Sequence, residues 1–278
     1  MELIEINSEN AEEFAAYINE DIREDLERTF FRGIGAVDGD GSAKGAMVFE
    51  LKNSESENDT RSRIHLFKAD DTETKKALMK EYDAAVENED VAESFYESPD
   101  EAMAKDLKSF GFSLSKSESL DILVSIEDIK RVISVLNIKK MPSNITPLSK
   151  ISILQYRSFV KNCLFKNQKG LLEDLVYLPM KWFERDISSA SVTDDKVDGV
   201  LLIRKAPSGM LYVGLYLAFG PDYKKNLALL MVNTAEKIVE LYPEDTHVII
   251  RRHSETVRKL TDKIFSNIKG DTIYSGTK

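Results

Sequence analysis

Residues Leu211 to Met231 read LYVGLYLAFGPDYKKNLALLM. The first nine alternate. Leu211, Val213, Leu215, Leu217 and Phe219 fall on one side and Tyr212, Gly214, Tyr216 and Ala218 on the other, which predicts a strand with one apolar face. A helix is expected from Asp222 to Leu241, because Leu227, Leu230, Met231, Ala235, Ile238 and Leu241 recur at helical spacing. Gly214 in mid-strand is compatible with a bulge or a close backbone approach, and equally with room for a neighbouring ring such as that of Trp182. The strand passes through Pro221 into a helix that begins with Lys224 and Lys225. Free N–H groups and positive charge at one point suit an anion such as a phosphate.

Outward from this stretch the chain repeats an order of elements. In the first half, ELIEI (2–6) reads as a strand and residues 10–28 as a helix. FFRGIGAV and GAMVFEL flank a Gly/Asp turn and predict a hairpin. A strand at Ile64–Phe67, a helix over 70–86, the strand VAESFY, a helix over 101–110 and a closing hairpin of FSLSKS with LDILVSI follow. The second half runs through helices over 148–165 and 171–183, the strand VDGVLLI, the quoted strand and helix, THVII, a helix over 255–265 and DTIYSG. Gly45 and Gly199 open corresponding strands. The stretch Met141–Pro147 holds two prolines among polar residues and predicts a linker. The expected organisation is therefore two domains, 1–140 and 141–278, of α/β (α+β) class, each a mostly antiparallel mixed sheet with flanking helices.

Composition narrows the function. Over 278 residues the net charge is −10, which opposes nonspecific nucleic-acid binding. No apolar run is long enough to span a membrane, and the acidic N-terminus lacks the apolar core of a signal peptide, so a cytoplasmic protein is expected. The single Cys163 forms no internal disulfide or thiolate metal cluster, and the three histidines lack ligand spacing; no metal is expected. The Arg251-Arg252-His253 and Lys224-Lys225 clusters suit one small phosphorylated ligand. No P-loop, GxSxG, HExxH or CxxC motif occurs, and Gly33-Ile34-Gly35 precedes a hairpin rather than a helix.

The element order resembles the GNAT acetyltransferase fold, over nearly the whole chain and twice. In that family a bulged fourth strand pairs with the pantetheine arm of the cofactor, and the helix after it holds the diphosphate. The resemblance implies an acetyl-CoA site in the second half formed by Leu217, Ala218, Phe219, Lys224, Lys225, Asn226 and Leu227. Pro221-Asp222-Tyr223-Lys224 is similar to the start of the family's motif, whereas Lys225-Asn226-Leu227-Ala228 replaces its glycines. The family's acidic tyrosine maps onto Thr261, a far weaker acid. The catalytic candidates are then His253, whose ordinary pKa is near neutral, and Tyr216. In the first half Asp70 and Asp71 stand where a diphosphate would sit, so that domain is expected to be cofactor-free.

Two functions follow from the resemblance. One is an acyl-CoA-dependent N-acetyltransferase acting on a small-molecule or peptide amine. The other is a catalytically inactive ligand-sensing or protein-interaction module on the same fold.

Overall fold

The computed structural model describes residues 1–278 except 29, 55–58, 137–139, 166–178 and 253–254. In the first half the strands are β1 (Glu2–Ile6), β2 (Phe31–Val37), β3 (Ala43–Ser54), β4 (Asp59–Ala69), β5 (Val91–Ser98), β6 (Ser115–Glu118) and β7 (Asp121–Ser125). They are followed by β8 (Ile145–Pro147), β9 (Ser189–Thr193), β10 (Lys196–Lys205), β11 (Leu211–Ala218), β12 (His247–Arg251) and β13 (Thr272–Thr277). The helices are α1 (Glu20–Asp25), α2 (Thr72–Asn88), α3 (Glu101–Ser109), α4 (Ile126–Leu136), α5 (Ile153–Phe165), α6 (Tyr223–Leu241) and α7 (Glu255–Ile264). No described helix is long and apolar enough to cross a membrane.

The strands form two mixed sheets, ordered β1-β2-β3-β4-β5-β13-β6 and β7-β12-β11-β10-β9-β8. Every neighbouring pair is antiparallel except β4 with β5 and β11 with β12. The compact units are Met1–Ser119 with Asp271–Lys278, and Leu120–Gly270. This differs from a division at 140/141. The expected closing hairpin of FSLSKS and LDILVSI does not form: β6 stays in the first sheet, while β7 pairs with β12 in the second. DTIYSG, expected to close the second half, lies instead between β5 and β6 of the first sheet. Local periodicity assigns a strand but says nothing of its partner.

In the first unit the sheet is covered on both faces. On one, α2 buries Thr74, Leu78, Met79 and Tyr82, and the Phe49 ring meets Tyr82 edge-on at 5.0 Å. Helix α3 ends in a Schellman motif: Gly111 takes φ +96°, its N–H donates to Lys108 O, and Phe112 N–H donates to Leu107 O. On the other face Ile6, Phe14, Ile18, Leu26, Phe31 and Val48 form the core. The single helix expected over 10–28 is instead a 3₁₀ turn at Ala11–Phe14 and the short α1, because Asn19 starts a new helix by accepting from Ile22 N–H at 2.9 Å.

In the second unit α6 packs Leu229, Leu230, Met231, Ala235 and Ile238 into one core, and α5 contributes Tyr156, Phe159 and Cys163 to the core on the other face. Cys163 is buried, as a small apolar residue would be. Asp194 and Asp195 both take positive φ, +50° and +62°, and turn β9 into β10, a hairpin absent from the sequence reading. The expected linker contains the edge strand β8, whose Pro147 sits at the last paired position, where no ladder N–H is needed. The helix expected over 171–183 falls largely outside the described residues.

Candidate functional site

Strand β11 does not alternate from end to end. Against β10, Leu202 faces Leu215 and Ile203 faces Val213, so Gly214 is an extra, bulged residue. The bulge reverses the side-chain phase. Leu211, Val213 and Tyr216 pack with the α6 core, while Leu215, Leu217 and Phe219 pack with the α5 core. The single apolar face expected for Leu211–Phe219 is therefore two half-faces. The bulge also marks where two strands part. Parallel pairing of β11 with β12 runs only over Leu211↔Val248, Tyr212↔Ile249 and Val213↔Ile250. Along Gly214–Ala218 this edge of β11 has no strand partner among the described residues.

At the end of that edge, Phe219–Asp222 turn into α6. Gly220 takes φ +86°, a conformation costly for residues with a side chain, and a Cβ there would meet nothing within 4 Å. Asp222 makes no side-chain capping bond at the start of α6. The first helix N–H groups have no intrahelical acceptors, and Lys224 and Lys225 are exposed beside them. Asn226 and Leu227, expected to line the cofactor, are 6% and 4% exposed and face the core. The turn before them holds Gly220. The Gly-Pro pair at 220–221 was the sequence signal for it.

The catalytic candidates are placed unequally. The Tyr216 hydroxyl donates to Leu227 O at 2.5 Å, and burial pushes its pKa far up. The bond ties β11 to α6 and removes the phenol from acid chemistry near neutral pH. His253 lies outside the described residues. Thr261, at the family's tyrosine position, is fully buried and donates to Val257 O at 2.9 Å. Arg252 is committed to structure: Nε donates to Leu120 O at 2.7 Å and Nη1 to Asp262 at 2.6 Å.

The first unit repeats this geometry with different chemistry. Against β3, Val48 faces Leu66 and Phe49 faces Ile64, so His65 is the bulged residue. Pairing of β4 with β5 ends at Ile64↔Tyr96, one residue before it. Gly45 faces Ala69 and Gly199 faces Ala218, and a Cβ on either glycine would come within 3.0 Å of the alanine Cβ. The turns differ. Asp70 and Asp71 alone link β4 to α2. Asp71 caps the helix, accepting from Thr74 N–H at 2.8 Å and Thr74 Oγ1 at 3.0 Å, and these bonds hold its carboxyl below the usual range. Asp70 accepts from Tyr17 Oη at 2.6 Å, and burial followed by that bond pushes the Tyr17 phenol up to about 12. Carboxylates already fill this helix start.

No protein-family model matches the chain by sequence, nor does any curated protein. Solved structures do match by fold. A tandem GNAT protein from the clavulanic acid biosynthesis pathway superposes with a TM-score of 0.70 at 10% identity, over 100% of this chain and 98% of that one. A GCN5-related glucosamine N-acetyltransferase region of a fungal multi-domain GH3 β-N-acetylglucosaminidase gives 0.67 at 10% identity, covering all of this chain and 38% of that longer one. A GCN5-related N-acetyltransferase from Sphaerobacter thermophilus gives 0.60 at 10% identity, with 99% and 95% covered.

Proposed function

Because the chain has the tandem GNAT fold, we propose that it transfers an acyl group from an acyl-coenzyme A, acetyl-CoA in the first instance, to an amine, with the cofactor held by the second unit. The observation that carries this reading is the pairing of β11 with β12, which stops at Val213↔Ile250 beside the Gly214 bulge and ends at a helix start without a side-chain cap. An amide-bearing chain ending in a diphosphate fits both parts. The open backbone of Gly214–Ala218 would pair with its amides, and the first N–H groups of α6, with Lys224 and Lys225, would hold its diphosphate. The first unit lacks the second part, since Asp71 occupies its helix start.

When bound, the cofactor supplies an activated acyl thioester. The chain's own task is to hold it and to take a proton from the ammonium form of the acceptor, so that a neutral amine can attack. An imidazole ordinarily titrates near neutral pH, so His253 is the side chain proposed for that transfer. Tyr216 acts as a positioning residue, fixing the end of β11 to α6.

Millimolar acetyl-CoA should raise the melting temperature. At about 100 times the dissociation constant the added stability is about 2.7 kcal/mol. Replacing Lys224 and Lys225 together with glutamate should abolish the shift, whereas His253→Gln should keep it and lower the transfer rate by roughly 10²–10⁴. No shift in the unmodified protein would refute the reading.

A further inference from the structure

The first unit holds a cleft of about 250 Å³ between its edge strand β1 and α2. Helix α2 packs over β2, β3 and β4. Strand β1 lies one step further out. Its residues on the helix side of the sheet are Leu3 and Glu5, because Leu3 packs with the α2 core and Ile4 with the opposite one. The helix residue over this space is Ala85, whose single methyl leaves it open. The floor is apolar, formed by Leu3, Ile34, Phe49 and Ala85. Ile34 and Phe49 are 8% and 1% exposed, so the core beneath holds them in place.

The walls are charged. Glu5 stands on the strand side and Glu81 on the helix side, and both are exposed. Among the described residues neither carboxylate has a hydrogen bond or an ion pair. Arg32, the cleft's one basic residue, is already engaged: its Nη2 lies 2.7 Å from Glu89 Oε1. Glu81, Ala85 and the C-cap residue Glu89 follow one stripe of α2 at four-residue spacing. With Arg32 and Glu89 offsetting each other, the charge left over is that of two carboxylates. An apolar floor under two unpaired carboxylates suits an ammonium with an apolar body and repels an anion. The volume falls below the ~300–1,000 Å³ of sites for drug-sized molecules, so that body is a few carbons long.

We infer that this cleft is a binding site, in the first unit, for a short primary alkylamine. The alkyl chain lies on Leu3, Ile34, Phe49 and Ala85, and the ammonium donates to Glu5 and Glu81. The inference does not depend on acyl transfer by the second unit, because every residue of the cleft belongs to the first and no cofactor is needed.

The test is amide NMR of the full chain, titrated with propylamine, butylamine and pentylamine in the absence of acetyl-CoA. The amides of Gly33, Ile34 and Ala85 should shift in a saturable way. The dissociation constant should fall about fourfold per added methylene, as expected for burying one CH₂. Butanol, which keeps the chain and loses the charge, should bind more weakly than butylamine, and butyrate should not saturate. Because the two carboxylates are exposed, added salt should weaken amine binding. Glu5→Gln with Glu81→Gln should weaken butylamine at least about threefold while the melting transition is retained. Ala85→Leu, which fills the cleft from the helix side, should remove the response. No shift at these three amides, shifts confined to the surroundings of Gly214, no gain with chain length, or equal binding of butanol or butyrate overturns the inference. Should a variant fail to fold, the chain-length series and the probe comparison on the unmodified protein still decide it.

Discussion

The Tyr82 hydroxyl is hydrogen-bonded to Ser62 Oγ at 3.0 Å and Ser94 Oγ at 2.8 Å, and no part of the residue reaches solvent. The ring alone would satisfy the core, so the phenol's value lies in satisfying two buried serines. Tyr82→Phe leaves both without that partner and should cost about 1–3 kcal/mol in chemical denaturation. Asp71 makes a prediction of a different kind. Its folded pKa is depressed by its bonds to Thr74, so its contribution to stability is present above the ordinary aspartate pKa of about 3.9 and is lost as pH falls through the lower folded value. Denaturation curves of the protein and of Asp71→Asn, which keeps a capping oxygen without the charge, should therefore converge on acidification. A constant gap between them would show that the cap is not proton-linked. The acids at 70–71 are legible in the sequence because capping is local. His65 is not: a lone histidine in an alternating run gives no sign that its partner strand skips a residue there.

Strands and helices in this chain follow their periodicity wherever neighbours agree with it. The run from 211 to 219 shows where they do not. Gly214 inserts one residue, and everything after it changes face; the signal is the register of β10, which lies outside the strand being read. The helix expected over 10–28 breaks for a local reason, the Asn19 cap, which an apolar pattern spanning both pieces conceals. For β13 the close fit makes the element's own prediction. A Cβ on Gly276 would lie 1.8 Å from Ser113 O. Gly276→Val should therefore prevent β13 from lying between β5 and β6, and amide exchange should quicken at Ser94 and Thr277, whose N–H groups bond across this strand. Unchanged protection at both amides would contradict that account.

Two domains of one repeated order were readable over the whole chain, because duplication leaves its trace in the spacing of helices and glycines. The exchange of β7 and β13 was not, since each strand satisfies the same local pattern in either sheet. Removing residues 271–278 should accordingly damage the unit that lies earlier in the sequence. Calorimetry should show the first unit's transition lost or lowered while that of Leu120–Gly270 persists. Loss confined to the second unit would reverse the assignment. The same connection bears on synthesis. A ribosome delivers β5 and β6 early, yet the strand that must lie between them emerges only after all of Leu120–Gly270 has been made. The nascent chain therefore cannot complete its domains in the order of translation. The later-made unit is free to fold first, while the unclosed edges of β5 and β6 stay open to wrong pairing until the last strand leaves the exit tunnel.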